Sequence, residues 1–238
     1  RGKLTGGIFF TKDGVMNAKD LSYEQWLKKE RRVAFILKDQ YQRLDKKGNH
    51  SPDNTCDWTR DEMEKNINNR FFVNLRNILW GILHTSIQEP CDWNSIIDKP
   101  EEIKEFFFSE PYAYIESKKT PGKGSLSDKI LKHHIDNYGD KLWKEIEILN
   151  PNFIICTHQL IYGHIIKKYQ EKYDIILKTW PEHGNICYDA ERKVFIIRAY
   201  HPSQVKDKND NCSINFERYY KFVFDFHLLQ VLTKFEEN

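Results

Sequence analysis

Short runs of apolar residues recur along the chain, and polar segments separate them. Four of these runs are VAFIL at 33–37, YAYI at 112–115, FIIC at 153–156 and VFIIRA at 194–199. Continuous apolar runs that are rich in β-branched and aromatic side chains are typical of strands buried on both faces, as in a parallel sheet. The pattern therefore predicts four such strands, and a shorter apolar run at 175–177 predicts a fifth, minor one.

Between the strands, apolar residues recur at the spacing of an amphipathic helix. The segments with this pattern are 22–29, 71–83, 127–149, 160–169 and 216–235. Strands that alternate with helices predict βαβ units. The expected fold is therefore α/β, a three-layer α/β/α sandwich around a central, mostly parallel sheet of about four strands.

The chain shows no internal repeat and no low-complexity linker. A chain of 238 residues is long enough to bury one full core, so residues 1–238 are interpreted as a single domain. Residues 1–21 precede the first helical pattern, and they are either an ordered part of this domain or an appended N-terminal arm.

Polar and basic residues follow each predicted strand. Right-handed crossovers place the carboxyl ends of parallel strands on one edge of the sheet, which is where such sheets bind ligands. In chain order the residues at this edge are Lys38, Asp39, Gln40 and Tyr41, then Glu116, Lys118, Lys119 and the turn PGKGS, then Thr157 and His158, and last His201, Pro202, Ser203, Gln204 and Lys206. A single basic loop is as often plain solvated surface as part of a binding site. Three of them beside an acid and a histidine are typical of a site that grips a polyanion and acts on a group next to it.

Composition and charge limit the classes of protein and partner. With 39% hydrophobic and 30% charged residues, the chain is neither disordered nor membrane-spanning, and no membrane partner is expected. The net charge is only +2, so a contact with nucleic acid has to use a local basic face.

The cysteines argue against a disulfide framework and against a metal centre. They are odd in number, widely spaced and without a C-x-x-C pair, at positions Cys56, Cys91, Cys156, Cys187 and Cys212. Such usage predicts free thiols, no zinc or iron–sulfur cluster and a reducing, cytoplasmic location. No cofactor is expected.

Two of the strand ends resemble motifs of the uracil-DNA glycosylase superfamily. These are ILKDQY at 36–41 and AYHPS at 199–203, with YIESKK at 114–119 and NPNFII at 150–155 between them in the matching order. The resemblance implies a DNA glycosylase, a hydrolase of DNA repair that cuts the N-glycosidic bond of a flipped damaged or deaminated base, either uracil or a related base. It implies DNA as the partner and leaves single- or double-strand preference open.

The resemblance also assigns roles to residues of the edge. Asp39 is the carboxylate that stabilises the cationic sugar and orients a water, and His201 donates to the leaving base. The substrate pocket is assigned to Lys38, Gln40, Tyr41, Trp58 and Glu116. The stacking aromatic is one of Tyr41, Trp58, Phe71 and Phe72, with Trp58 preferred. Contacts to DNA are assigned to Lys118, Lys119, Lys123, Ser125, Ser203, Gln204 and Lys206, and the apolar wedge to Val205.

Two departures from the family pattern keep alternatives open. Lys38 stands in a glycine-like place, which puts the register of Asp39 in doubt by one position. Glu116 stands where the family has a base-reading amide, and an ionised carboxylate only accepts hydrogen bonds. It therefore suits a base with an exocyclic amine better than uracil, or it is protonated and donates. The alternative function is a catalytically silent member of the same fold that binds nucleic acid or protein. An unrelated α/β hydrolase or nucleotide-binding enzyme is disfavoured, because the chain has no G-x-S-x-G, G-x-G-x-x-G or Walker motif.

Overall fold

A computed structural model describes residues 14–17, 21–44, 50–55, 60–86, 88–122, 126–179, 184–206 and 212–224. Within these residues the helices are α1 (Tyr23–Leu27), α2 (Arg60–Asn66), α3 (Arg70–His84), α4 (Trp93–Ile97), α5 (Pro100–Ser109), α6 (Asp128–Leu149), α7 (Gln159–Tyr173) and α8 (Phe216–Phe224). The strands are β1 (Gly14–Met16), β2 (Val33–Leu44), β3 (His50–Thr55), β4 (Tyr112–Gly122), β5 (Phe153–Cys156), β6 (Lys178–Thr179), β7 (Ile186–Asp189) and β8 (Val194–Arg198).

All of these strands join one mixed sheet. Its order is β1-β4-β2-β5-β8-β7-β6, and β3 pairs with β2 beside this path. Strands β4, β2, β5 and β8 are parallel to their neighbours in that group, and they coincide with the predicted apolar runs. The α/β class predicted from the sequence is therefore confirmed.

The expected number of strands, about four, was too low. Antiparallel strands extend the parallel group: β1 pairs with β4 at one edge, β7 and β6 follow β8 at the other, and β3 pairs with β2. These additions are short or polar, such as KT in β6 and HSPDNT in β3, so they lack the continuous apolar run that marks a strand buried on both faces. The minor strand predicted at 175–177 was also misplaced, since Ile176 is 90% exposed and pairing begins only at Lys178.

Helices cover both faces of the sheet, because successive residues of each parallel strand point to opposite sides. In β2, Val33, Phe35 and Leu37 face a core shared with α3, α5 and α8. Ala34 and Ile36 face a second core shared with α1, α6 and α7. Cys156, one of the predicted free thiols, is buried in this second core.

The helices predicted by periodicity are present, with small shifts at their ends. Ser22 and Ser127 cap α1 and α6 through their side chains, as the patterns beginning near them indicated. The helix predicted at 160–169 continues to Tyr173, and the one predicted from Phe216 is described as far as Phe224. Periodicity missed α2, α4 and α5, because the first two are short and the run Phe106–Phe108 in α5 does not distinguish helix from strand. No helix among the described residues is both long and apolar enough to cross a membrane.

The strand order creates a topological switch point between β2 and β5. The chain leaves β2 through α2–α5 on the first face and reaches β4, then returns through α6 on the second face to β5 on the other side of β2. Connections that depart in opposite directions leave a crevice at the carboxyl ends of the two strands, and open α/β sheets bind ligands in such a crevice.

Strands β2 and β4 extend far beyond this crevice. The pairing of β2 with β5 ends at Ile36 and Cys156, whereas β2 continues beside β4 as far as Tyr41 and Gly122. Asp39 and Glu116 therefore lie within strands and not in the turns predicted for them. The reason is that the two strands satisfy each other's backbone groups without needing apolar side chains. The β2–β4 register shifts between Asp39 and Tyr41, opposite a stretch of β4 that contains Pro121, which has no N–H to donate.

Candidate active site at the sheet edge

Several of the predicted site residues are described by their backbone alone or lie outside the described residues. Asp39, Gln40 and Tyr41 lie on β2 and Lys119 lies on β4, where only their backbone positions are described. Trp58, Lys123 and Ser125 lie outside the described residues. The remaining predicted residues and their neighbours define the geometry of the site.

His201 follows β8 and lies at the carboxyl edge of the sheet. The backbone N–H of Ser203 donates to its Nδ1 at 3.2 Å. A ring nitrogen that accepts a hydrogen bond carries no proton, so the proton of the neutral imidazole is on Nε2. The local backbone thus selects the tautomer in which Nε2 is a donor.

His201 is also kept uncharged. Burial, with smaller effects from Lys38 and His158, lowers its pKa from the ordinary value of 6.5 to about 4. At neutral pH the imidazole is therefore a neutral hydrogen-bond donor and not a cation.

Side chains on or just after three different strands lie near one another at the switch point: Lys38, His158 and His201. Lys38 lies just beyond the last β2–β5 pair, His158 follows β5, and His201 follows β8. Lys38 and His158 both lower the pKa of His201, which indicates that the three groups lie near one another. The positive charge of Lys38 and the ring N–H groups of the two histidines favour an anionic ligand or an anion formed during a reaction.

His158 has a structural role as well. Its Nδ1 accepts a hydrogen bond from the backbone N–H of Leu160 at 3.2 Å, which caps α7. Its Nε2 lies 3.2 Å from Oδ1 of Asp128, the first residue of α6. His158 therefore ties the starts of two helices to the end of β5.

Two hydroxyl groups bond to the carbonyls of β2 where it passes the end of β5. The Thr157 hydroxyl donates to the carbonyl of Ile36 at 3.0 Å, and the Ser117 hydroxyl donates to the carbonyl of Leu37. Because both side chains are buried, these bonds hold the neighbouring strand ends in place. Sequence reasoning named Thr157 only as a residue of the edge and gave Ser117 no role.

Glu116 lies on the same sheet, next to β2. It is 3% exposed, and its Oε1 accepts a hydrogen bond from the Tyr114 hydroxyl at 2.8 Å. Its backbone pairs with Leu37, two residues before Asp39. A buried carboxylate oriented by a tyrosine presents acceptors, as expected from the sequence, and lies beside the strand that carries Asp39.

The residues assigned to DNA contacts differ in accessibility. Ser203 and Lys206 are exposed, and Gln204 is partly buried with its Nε2 donating to the carbonyl of Lys206 at 2.8 Å. Val205, assigned as the wedge, is 59% exposed. Lys118 is only 7% exposed, which leaves little of it available to a phosphate.

Helix α3 forms the wall beside His201, and sequence reasoning named only its Phe71 and Phe72, as candidate stacking aromatics. The Phe71 ring lies 6.0 Å from the His201 ring, measured between centroids. Asn74 donates from Nδ2 to the carbonyl of Pro202 at 2.7 Å, and Arg70 donates from Nε to the carbonyl of Gln204 at 3.0 Å. No sequence signal marks these partners, because more than 120 residues separate them from the loop that they bind.

In the part of the chain that the structure describes, no three His, Cys, Asp or Glu side chains come close enough to hold a metal ion. The described cysteines are free thiols: Cys91, Cys156 and Cys187 are buried, and Cys212 is exposed. Comparisons with protein-family models, with curated proteins and with solved structures find no match to this chain. Its function therefore has to be inferred from its own residues.

Proposed function

We propose that the protein hydrolyses the N-glycosidic bond of a damaged or deaminated base extruded from DNA. The observation that carries this proposal is the state of His201, an uncharged imidazole at the sheet edge with its proton on Nε2. Breaking the bond leaves negative charge on the base, and a fixed neutral N–H donor stabilises such charge. The motif resemblance assigns His201 this same role, so an α/β/α domain of the uracil-DNA glycosylase superfamily is part of the proposal.

The proposed reaction proceeds through charge separation. The C1′–N bond breaks, and its electron pair leaves with the base while positive charge develops on the sugar. Water then bonds to C1′ through oxygen, and a carboxylate takes the proton that the water loses. That proton finally neutralises the base, so the products are a free base and DNA with an abasic sugar.

The backbone positions of Asp39 and His201 support the two roles. Ile36, Cys156 and Arg198 lie at one level across β2, β5 and β8, and Asp39 and His201 each come three residues beyond that level. With β5 between them, β2 and β8 are roughly 10 Å apart at the backbone. A gap of this width accepts a nucleoside whose sugar is near one strand end and whose base is near the other.

The proposal is tested by base release from labelled oligonucleotides that carry uracil, hypoxanthine, xanthine or a normal base, as single and double strands. We expect His201→Leu and Asp39→Ala each to lower kcat for release about 100-fold or more, because each removes a group that acts on transition-state charge. His133→Leu changes an exposed histidine of α6 and should leave the rate unchanged. Release that persists in Asp39→Ala and His201→Leu at the parent rate would refute the mechanism.

Because of Glu116, we propose a damaged base that keeps an exocyclic amine over uracil or another deaminated base, in which a carbonyl has replaced that amine. A carboxylate accepts hydrogen bonds from an amine, and it leaves a carbonyl without a donor, at a cost of about 1–3 kcal/mol. Glu116→Gln supplies a donor and should shift relative kcat/KM towards uracil by about 10-fold or more.

A silent member of the same fold that binds nucleic acid or protein is the second candidate, and the burial of Glu116 within β4 favours it. Binding of DNA without release of any base, by the parent and by Glu116→Gln alike, would identify this second function. DNA as partner and a cytoplasmic location remain parts of the proposal.

A further inference from the structure

The chain after β8 forms a narrow hairpin beside His201. Lys206 pairs with Ser213 in an antiparallel bridge, and the backbone N–H of Ile214 donates to the carbonyl of Val205 at 3.0 Å. We call the two described arms, 204–206 and 212–214, the His201 hairpin. The loop that carries His201 runs directly into its first arm.

Arg70 joins the two arms of this hairpin. Its Nε donates to the carbonyl of Gln204 at 3.0 Å, and another guanidinium nitrogen donates to the carbonyl of Ile214. The guanidinium carbon lies 5.1 Å from the centre of the Phe216 ring at the start of α8. The planar fork of arginine makes such paired contacts possible, whereas the point charge of lysine does not reproduce them.

Asn74 holds the same loop one helical turn further along α3. Its Nδ2 donates to the carbonyl of Pro202 at 2.7 Å, and the side chain is 1% exposed. The helix itself is anchored in the core by Phe72 and Leu75, which are fully buried. Arg70 and Asn74 therefore connect the His201 loop to a rigid element.

We propose that Arg70 and Asn74 are positioning residues, which hold the His201 imidazole with Nε2 as the donor. The described bonds within the loop are local: Ser203 N–H to His201 Nδ1, and Gln204 N–H to the His201 carbonyl at 2.8 Å. The carbonyls of Pro202 and Gln204 are held from outside the loop, by Asn74 and Arg70. The role of this geometry in base release rests on the proposed function, but the positioning itself does not.

The test follows the imidazole directly, by nitrogen NMR of the His201 ring across a pH titration. The variants are Arg70→Met, Arg70→Lys and Asn74→Leu, each checked for folding by circular dichroism. Arg192→Met is the matched control, because Arg192 bonds to Asp189 at 3.1 Å in the turn before β8, at the opposite edge of the sheet. The charged groups that act on His201, Lys38 on β2 and His158 before α7, are unchanged in every variant.

In the parent and in Arg192→Met we expect Nδ1 without a proton and a His201 pKa near 4. In Arg70→Met and Asn74→Leu we expect a mixture of tautomers and a His201 pKa closer to the ordinary 6.5. Arg70→Lys should change the ring in the same direction, because one ammonium group does not bridge both arms. An unchanged tautomer and pKa in all three folded variants would overturn the proposal.

Base release measured on the same proteins separates this proposal from the proposed reaction. If the parent releases a base, Arg70→Met and Asn74→Leu should lower kcat at least 10-fold with little change in KM, since positioning acts on the chemical step. If the parent releases none while the ring signals change as expected, the reaction is refuted and the positioning stands.

Discussion

At the scale of single residues, the backbone determines the chemistry of His201 as much as its own ring does. The Ser203 N–H selects the tautomer, and burial together with the nearby Lys38 and His158 keeps the ring neutral. An ordinary loop histidine would be partly protonated near pH 6.5. His201 keeps one hydrogen-bonding state across the physiological range, which suits a donor to a developing anion.

This depressed pKa predicts a loss of stability in acid. The pKa of His201 is about 4 in the folded protein and 6.5 when the chain is unfolded, so between these values the unfolded state binds more protons. Stability is therefore full above pH 6.5 and falls as pH drops towards 4. Near pH 4.5 this residue lowers the free energy of unfolding by about 2–3 kcal/mol.

Urea unfolding of the parent and of His201→Gln at pH 7.5 and pH 4.5 measures this contribution. The parent should lose about 2–3 kcal/mol more stability between the two pH values than the variant does. Equal losses would show that His201 titrates normally in the folded protein. Other titrating groups are shared by both proteins and cancel in the comparison.

At the scale of elements, the packing of α6 against α7 depends on one glycine. A Cβ at Gly139 would lie 2.4 Å from Cε1 of His164 and 2.5 Å from its Nε2. The two helices cover the second face of the sheet, and His158 and Asp128 link their first turns. The close packing of α6 against α7 therefore supports the second face of the sheet beside the crevice.

We expect Gly139→Ala to lower the free energy of unfolding by about 1–3 kcal/mol, because the ring has to move out of its contact. Gly163→Ala on α7 is the matched control, since a Cβ there meets nothing within 4 Å. That variant should raise stability by up to about 1 kcal/mol through helix propensity. Urea unfolding at pH 7.5 compares the two, and equal effects would contradict the packing argument.

At the scale of the whole molecule, charge predicts a modest and local affinity for DNA. The net charge of +2 gives little general attraction to a polyanion. Lys118 is buried, so the assigned lysines left to meet phosphates are Lys119, Lys123 and Lys206. Each phosphate neutralised on duplex DNA contributes about −0.9 to the slope of log K against log salt.

For DNA binding we therefore expect log K to fall against log salt with a slope of about −3. Fluorescence anisotropy at several salt concentrations measures this slope. Lys206→Gln should make the slope shallower by about 1, while Lys132→Gln, on the outer face of α6 beside Asp136, should leave it unchanged. A slope near zero in the parent would mean that these lysines do not contact phosphates.

The amino-acid sequence by itself determined the parallel strands, the α/β class and helices such as α3 and α6. Strands buried on both faces need continuous apolar runs, and amphipathic helices need a periodic stripe, so both leave local signals. It also placed His201 and His158 at strand ends. It did not show that Asp39 and Glu116 lie inside strands, because the partner that extends each strand is remote in the chain.

Only the tertiary structure decided which groups meet. The order β4-β2-β5-β8 locates the crevice, and no local pattern specifies which strands become neighbours. The bonds from Arg70 and Asn74 to the His201 loop span 134 and 128 residues. Such contacts depend on the packing of α3 against the sheet and α8, which brings together residues that carry no signal of each other in the sequence.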